Sequence, residues 1–94
     1  MGSAYALANL AVAALGRGDL ERARASGEES LSIYDELGDK SGTALALINL
    51  GDVARMRGDE ERARTLYDEA LALHRELGNE RGVARALGRL ASGP

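Results

Sequence analysis

The sequence repeats itself with a period of 40 residues, and this feature constrains the fold more than any other. Residues 1–40 align with residues 41–80 without a gap, and 19 of the aligned positions are identical. A fixed period of this length is typical of an array of structural units, each of which buries its apolar face against its neighbours. We therefore expect one domain made of a repeat at 1–40, a second at 41–80 and a partial third at 81–94.

Each unit has the pattern of two amphipathic helices. In the middle unit, apolar residues recur at spacings of three and four, first between Ala44 and Ala54 and then between Ala63 and Leu77. Gly58 suits the left-handed end of the first helix, and Asp59 suits the cap of the second. The sequence therefore predicts an all-α array of helical hairpins, an α-solenoid, with helices at about 3–17, 20–37, 40–57, 60–77 and 80–91.

Composition and charge exclude several classes of function. The net charge is −3 and acidic and basic residues are interleaved, which gives no basic face for nucleic acid. No apolar run approaches the roughly 20 residues of a membrane span. The chain has no cysteine, which removes disulfides, thiolate metal sites and thiol nucleophiles and is compatible with a reducing cytoplasm. We expect a cytoplasmic protein that binds neither nucleic acid nor membranes.

No group of residues has the pattern of a catalytic, cofactor or metal site. His74 is the single histidine, and its counterpart one repeat earlier is Tyr34, so we expect a packing residue with a solvent-exposed tip. The serines lie outside any nucleophile elbow, and no glycine is followed by the Lys-Ser/Thr of a phosphate loop. The paired acids fall on the expected solvent faces of helices. We predict that the chain is not an enzyme and needs no cofactor or metal.

The middle unit carries the residues of a known repeat. Its pattern is Leu47…Leu50-Gly51…Ala54…Gly58-Asp59…Ala63…Tyr67…Ala70-Leu71, which resembles the tetratricopeptide repeat. A period of 40 instead of the usual 34 resembles the repeats of kinesin light chain and of bacterial regulators. HEAT and armadillo repeats share the period length but lack this Gly-Asp turn.

The first unit departs from this pattern in the middle of its second helix. Gly27 and Ser30 stand where the next unit has Tyr67 and Ala70. Glycine within a helix costs up to about 1 kcal/mol relative to alanine, and it leaves a gap where a tyrosine ring would pack. We expect Tyr5 or another side chain to fill the gap, or the first hairpin to be loose.

The resemblance implies a scaffold that binds proteins or peptides in a groove lined by the first helix of each unit. Asn9 and Asn49 then form either an amide ladder for a peptide backbone or a structural bridge between helices. Arg85 and Arg89 with Asn49 resemble part of a carboxylate clamp, although Ala8 and Val12 cannot supply its remaining groups. The apolar groove residues either bind the ligand or are buried against a neighbouring helix. The predicted groove residues are Tyr5, Asn9, Leu45, Ile48, Asn49, Asp52, Met56, Arg85 and Arg89.

A second hypothesis is self-association through the last helix. That helix presents an apolar face with no following helix, and solenoids need polar ends for solubility. Two chains that pair these faces or exchange helices would form a homo-oligomer without any other ligand. The residues concerned are Val83, Ala86, Leu87 and Leu90. In the binding hypothesis, the chain is part of a larger regulatory protein.

Overall fold

The computed structural model describes residues 3–92, which form five helices. They are α1 (Ala4–Gly16), α2 (Leu20–Leu37), α3 (Lys40–Met56), α4 (Glu60–Leu77) and α5 (Glu80–Ala91). This part of the chain contains no strand, so the prediction of an all-α helical repeat is confirmed, and every predicted helix end lies within one residue of the observed one. Within residues 3–92, no helix is both long enough and apolar enough to cross a bilayer.

The same local chemistry begins and ends each helix. At every start, a short polar side chain accepts a hydrogen bond from the backbone N–H three residues later, which satisfies a donor that the helix itself leaves unpaired. Each of the four turns contains a glycine with φ between 69° and 85°, a conformation that other residues rarely adopt. The capping residues are Ser3, Asp19, Asp39, Asp59 and Asn79.

Helix α3 lies at the centre of the molecule. It packs against α1, α2 and α4, and its buried residues run almost without interruption from Ala44 to Ala54. The main core lies between α3 and α4, and Ala86 of α5 joins it. Helix α1 packs through a stripe of alanines that begins at Ala4 and ends at Ala14. Through these small side chains, α1 packs against α2 and α3.

Three close contacts join a glycine of a first helix to a ring of a second helix. A Cβ atom built on any of these glycines would lie only 2.1–2.5 Å from a ring atom, which no real contact allows. Glycine is therefore required where the rings pass across the helix backbone. The pairs are Gly42 with Tyr34, Gly51 with Tyr67, and Gly82 with His74.

Leu50 fills the gap expected beside Gly27. A Cβ on Gly27 would lie 2.9 Å from Leu50 Cδ2, and Leu50 is only 6% exposed. The leucine of α3 thus occupies, in the first hairpin, the space that a ring would need. The first hairpin is packed because a side chain from the next unit replaces the missing tyrosine.

Candidate functional site

The first turns of α3 and α5 border a cavity of about 350 Å³, which we call the first-helix cavity. Tyr5 of α1 and the last turns of α2 and α4 complete its walls. Its lining residues are Tyr5, Tyr34, Asp39, Ser41, Gly42, Leu45, His74, Asn79, Arg81, Gly82 and Arg85.

The accessible walls of the first-helix cavity combine apolar and cationic groups. Tyr5 is 65% exposed. Leu45, which holds the same position in the next unit, is half-buried. Arg81 and Arg85 are exposed on α5. The carboxylate of Asp39 already accepts the N–H of Gly42 at 2.9 Å. The cavity therefore offers an aromatic face and two guanidinium groups, which suits an acidic or carboxylate-bearing peptide.

His74 forms part of the cavity wall but has no solvent-exposed tip, so that expectation was wrong. The residue is 4% exposed because its ring lies under Gly82. Asn79 Oδ1 accepts the N–H of Gly82, which directs Asn79 Nδ2 toward His74 Nδ1 at 3.3 Å. Nδ1 must then accept, so the neutral ring carries its proton on Nε2, an atom with no hydrogen-bond partner within residues 3–92.

This environment disfavours the imidazolium form. Burial lowers the pKa of His74 below its ordinary value of 6.5, and the nearby charge of Arg85 lowers it further. A proton on Nδ1 would also face the amide donor of Asn79. The folded protein therefore binds this proton less readily than the unfolded chain does.

Acid should destabilise the protein through His74. The pKa is depressed in the folded state, so the free energy of unfolding is highest above pH 6.5 and falls progressively as the pH drops below it. Denaturant titrations at about pH 7.5, 6.5 and 5.5 measure this slope, because no other side chain ordinarily titrates there. The matched variant is His74→Tyr, which copies Tyr34 and should flatten the slope. An equal slope in this variant would contradict the assignment.

At the other end of α3, a charged cluster joins three helices. The guanidinium of Arg89 donates to both oxygens of Asp52, from Nε at 2.9 Å and from Nη2 at 3.1 Å. The hydroxyl of Tyr67 donates to Asp52 Oδ1, and the guanidinium of Arg55 lies 5.0 Å from the centre of the Tyr67 ring. Burial, followed by the Asp52 carboxylate, raises the pKa of Tyr67, so the phenol stays protonated. Within this cluster, the positive charge of Arg89 is paired with the negative charge of Asp52.

Only part of the predicted groove lies at the first-helix cavity. Tyr5, Leu45 and Arg85 line it, whereas Asn9 and Met56 are exposed elsewhere. Tyr5, Leu45 and Arg85 come together because they occupy the same position in successive units, 40 residues apart.

Other predicted groove residues lie inside the protein. Ile48 is 1% exposed, so of the two alternatives for the apolar groove residues, burial against a neighbouring helix describes it. Asn49 is 4% exposed and its Nδ2 donates to the carbonyl of Ala8 at 3.5 Å, which is a bridge between helices. Asn9 is exposed, so the two amides do not form a ladder in this structure.

The apolar face of α5 is only partly open. Ala86 is fully buried against the core, so it does not belong to the predicted self-association surface in this structure. Val83 and Leu90 are half-buried, and Leu87 is 43% exposed. Leu47, the counterpart of Leu87, is only 7% exposed because it belongs to the main core.

Four residues line the cavity that the sequence pattern did not predict there, namely Tyr34, Ser41, Asn79 and Arg81. The 40-residue period could have predicted two of them, because Ser41 and Arg81 both stand two residues after a capping residue. Residues at this place in successive first helices meet at one end of the array. Over residues 3–92, no three His, Asp or Glu side chains are grouped closely enough to hold a metal ion.

Comparison with known proteins supports the repeat architecture. A sequence profile described as the tetratricopeptide repeat matches residues 2–76 and, in a second match, residues 42–92. No curated protein and no solved structure matches the chain. The match does not extend to kinesin light chain in particular, and that resemblance stays a prediction. The profile match, together with the helical hairpins that repeat every 40 residues, shows that the chain belongs to the tetratricopeptide repeat family.

Proposed function

We propose that the chain is a protein- or peptide-binding module whose ligand occupies the first-helix cavity. Tetratricopeptide repeats generally mediate protein–protein interactions as scaffolds. We further propose a cytoplasmic module of a larger regulatory protein, without catalytic activity. The observation that carries the binding role is the cavity of about 350 Å³, which is lined by the exposed residues Tyr5, Arg81 and Arg85.

The ligand contacts follow from which side chains are still available. Arg89 is paired with Asp52 through two of its N–H groups, and the buried Asn49 donates to the Ala8 carbonyl, so both side chains are already engaged within the protein. Arg85 is exposed in the cavity wall. We assign apolar contacts to Tyr5 and Leu45, and the pairing with an acidic group to Arg85.

Peptides selected from a random 12-residue library against the intact chain test this role. Arg85→Ala should weaken binding of the selected peptides at least about tenfold, as expected when one charge-assisted hydrogen bond is lost. Tyr5→Ala should also weaken binding, since it removes the exposed ring. Isothermal titration calorimetry measures both effects.

Arg64→Ala is the matched control, because Arg64 is an exposed arginine of α4 that does not line the cavity. It should leave affinity unchanged within about twofold, as expected for a distant surface charge. Equal affinities of the Arg85→Ala and Arg64→Ala variants for every selected peptide would refute the proposed site.

Self-association is the second candidate function, and the exposure of Leu87 favours it. The corresponding Leu47 is 7% exposed within the main core, whereas Leu87 is 43% exposed. The face around Leu87 borders a further cavity of about 380 Å³ with Val83 and Ala84. A second copy could cover this face and bury the leucine.

Sedimentation velocity over a range of concentrations tests the second candidate. If two copies pair through α5, the unaltered chain should form a concentration-dependent oligomer, and Leu87→Glu should make it monomeric, because a carboxylate cannot be buried without a partner. Leu10→Glu, which alters an equally exposed leucine of α1, should leave the oligomer intact. A monomer at high concentration would exclude this candidate.

A further inference from the structure

A second groove, which shares no lining residue with the first-helix cavity, runs between α2 and α4. We call it the outer groove, and its volume is about 510 Å³. Helix α3 forms its floor, while α2 and α4 form its two walls. Its lining residues are Leu31, Asp35, Thr43, Leu47, Glu69, Ala72 and Leu73.

The floor and inner walls of the outer groove are apolar. Leu47 is 7% exposed at the floor, and Leu31 and Leu73 are half-buried on either side of it. Ala72 is exposed, and its small side chain leaves the groove open. An inserted aliphatic side chain would therefore contact several leucines and release water from them.

The rims of the outer groove are acidic. Asp35 stands on the α2 wall and Glu69 on the α4 wall, and both residues are exposed. Neither carboxylate takes part in an ion pair within residues 3–92, whereas Glu21, Glu28 and Glu76 all have arginine or lysine partners. Two carboxylates without cations on opposite walls of an apolar groove are complementary to a basic segment.

Charge favours a basic partner over a second copy. One exposed apolar face of this chain is that of α5 around Leu87, and both Arg75 and Glu80 border its cavity. This face carries charges of both signs, so it is less complementary to Asp35 and Glu69 than a segment that carries only lysine or arginine beside its apolar side chains.

We propose that the outer groove is a second docking site, for a partner segment in which apolar side chains are flanked by lysine or arginine. The apolar side chains contact Leu31, Leu47 and Leu73, and the flanking cations pair with Asp35 and Glu69. This site is independent of the first-helix cavity and of the acidic ligand proposed there. The module thus binds two segments of opposite charge on two surfaces.

A synthetic amphipathic peptide of about 14 residues, with leucine on one face and lysine at its flanks, is the probe. Two control peptides carry glutamate in place of lysine, or serine in place of leucine. Fluorescence polarisation should show binding of the lysine–leucine peptide to the intact chain and at least about tenfold weaker binding of both controls. Absence of binding up to about 1 mM, or equal binding of the serine peptide, would overturn the proposal.

Paired charge neutralisations locate the probe. The variant Asp35→Asn with Glu69→Gln should weaken binding at least about tenfold, whereas Glu29→Gln with Asp68→Asn should change it less than about twofold. The control pair removes the same two charges from the same two helices, at exposed positions outside the groove. Equal weakening by both pairs would mean attraction to net charge alone and would overturn the proposal.

A blocking substitution separates this site from the first-helix cavity. Ala72→Lys places a long cationic side chain in the outer groove and should abolish binding of the probe. Arg85→Ala, at the first-helix cavity, should leave the affinity for the probe unchanged. If Arg85→Ala abolished binding while Ala72→Lys did not, the proposed docking site would be wrong. The outer groove can fail this test while the first-helix cavity passes its own.

Discussion

Replacing Tyr67 with alanine is expected to lower the free energy of unfolding by about 3–5 kcal/mol, the cost of truncating a buried aromatic side chain. Tyr67 has no exposed surface and packs between α3 and α4 at the centre of the core. Domains of this size have only about 5–15 kcal/mol in total. Urea denaturation followed by circular dichroism measures this loss of free energy. A thermal scan of the same variant should show a melting temperature lower by well over 10 °C.

Two further tyrosine variants separate the contributions of the ring and the hydroxyl. Tyr67→Phe keeps the ring and removes only the hydrogen bond to Asp52, so it should cost about 1–2 kcal/mol. Tyr5→Ala removes a ring that is 65% exposed and should change stability by less than about 0.5 kcal/mol. Comparable losses for Tyr67→Ala and Tyr5→Ala would contradict the position of the core.

Gly51→Ala is the substitution with the second largest expected effect. It adds one methyl group and improves helix propensity, which alone would stabilise α3 by about 0.5–1 kcal/mol. The new Cβ would lie 2.5 Å from Tyr67 Cε1, so the ring or the helix must move. Overpacking of this kind costs about 1–3 kcal/mol and sometimes more. We therefore expect a net loss of stability, measured by the same denaturation experiment.

Gly88→Ala is the matched control for this prediction. Gly88 is exposed within α5, and a Cβ there would meet nothing within 4 Å. The variant should be more stable by about 0.5–1 kcal/mol. In a Tyr67→Ala background, Gly51→Ala should lose most of its cost because the ring is gone, which gives a coupling of at least about 1 kcal/mol. If the costs of Gly51→Ala and Tyr67→Ala were strictly additive, the contact between Gly51 and the Tyr67 ring would be contradicted.

The helices were predictable because each of their ends depends on residues next to one another in the chain. Asp59, for example, caps α4 through the N–H of Arg62, and Gly58 takes the left-handed conformation of the turn before it. Such local signals need no knowledge of the packing. The period then extends each signal to the next unit, and hence to the whole array.

The candidate site was only partly predictable because it depends on contacts between units. Asp52 and Arg89 both break the period, since their counterparts one unit earlier are Val12 and Asn49. In the structure these two exceptions pair with each other, while Asn49 donates to the carbonyl of Ala8. The resemblance assigned Arg89 to a ligand and left Asn49 open between a ligand contact and a bridge between helices, because it carries no information about neighbours that differ between units.

The packing beside Gly27 also depends on a contact between units. Glycine in place of Tyr67 predicts lost packing, but it does not say which side chain fills the space. Leu50 fills it from the next unit, although Leu10, its own counterpart, is 48% exposed. Identical residues of two units thus have different environments, because within residues 3–92 α3 packs against three helices and α1 against two.

Nuclear Overhauser spectroscopy of the intact chain tests the central claim most directly. That claim is that the rings of the second helices pack on glycines of the first helices in a periodic array. The Hα protons of Gly51 should show cross-peaks to the ring of Tyr67, and those of Gly42 and Gly82 to Tyr34 and His74. Gly16 and Gly88 should show no cross-peak to any ring. If Gly51 lacked contacts with Tyr67, or if Gly88 showed equal ones, the proposed packing of this repeat would be contradicted.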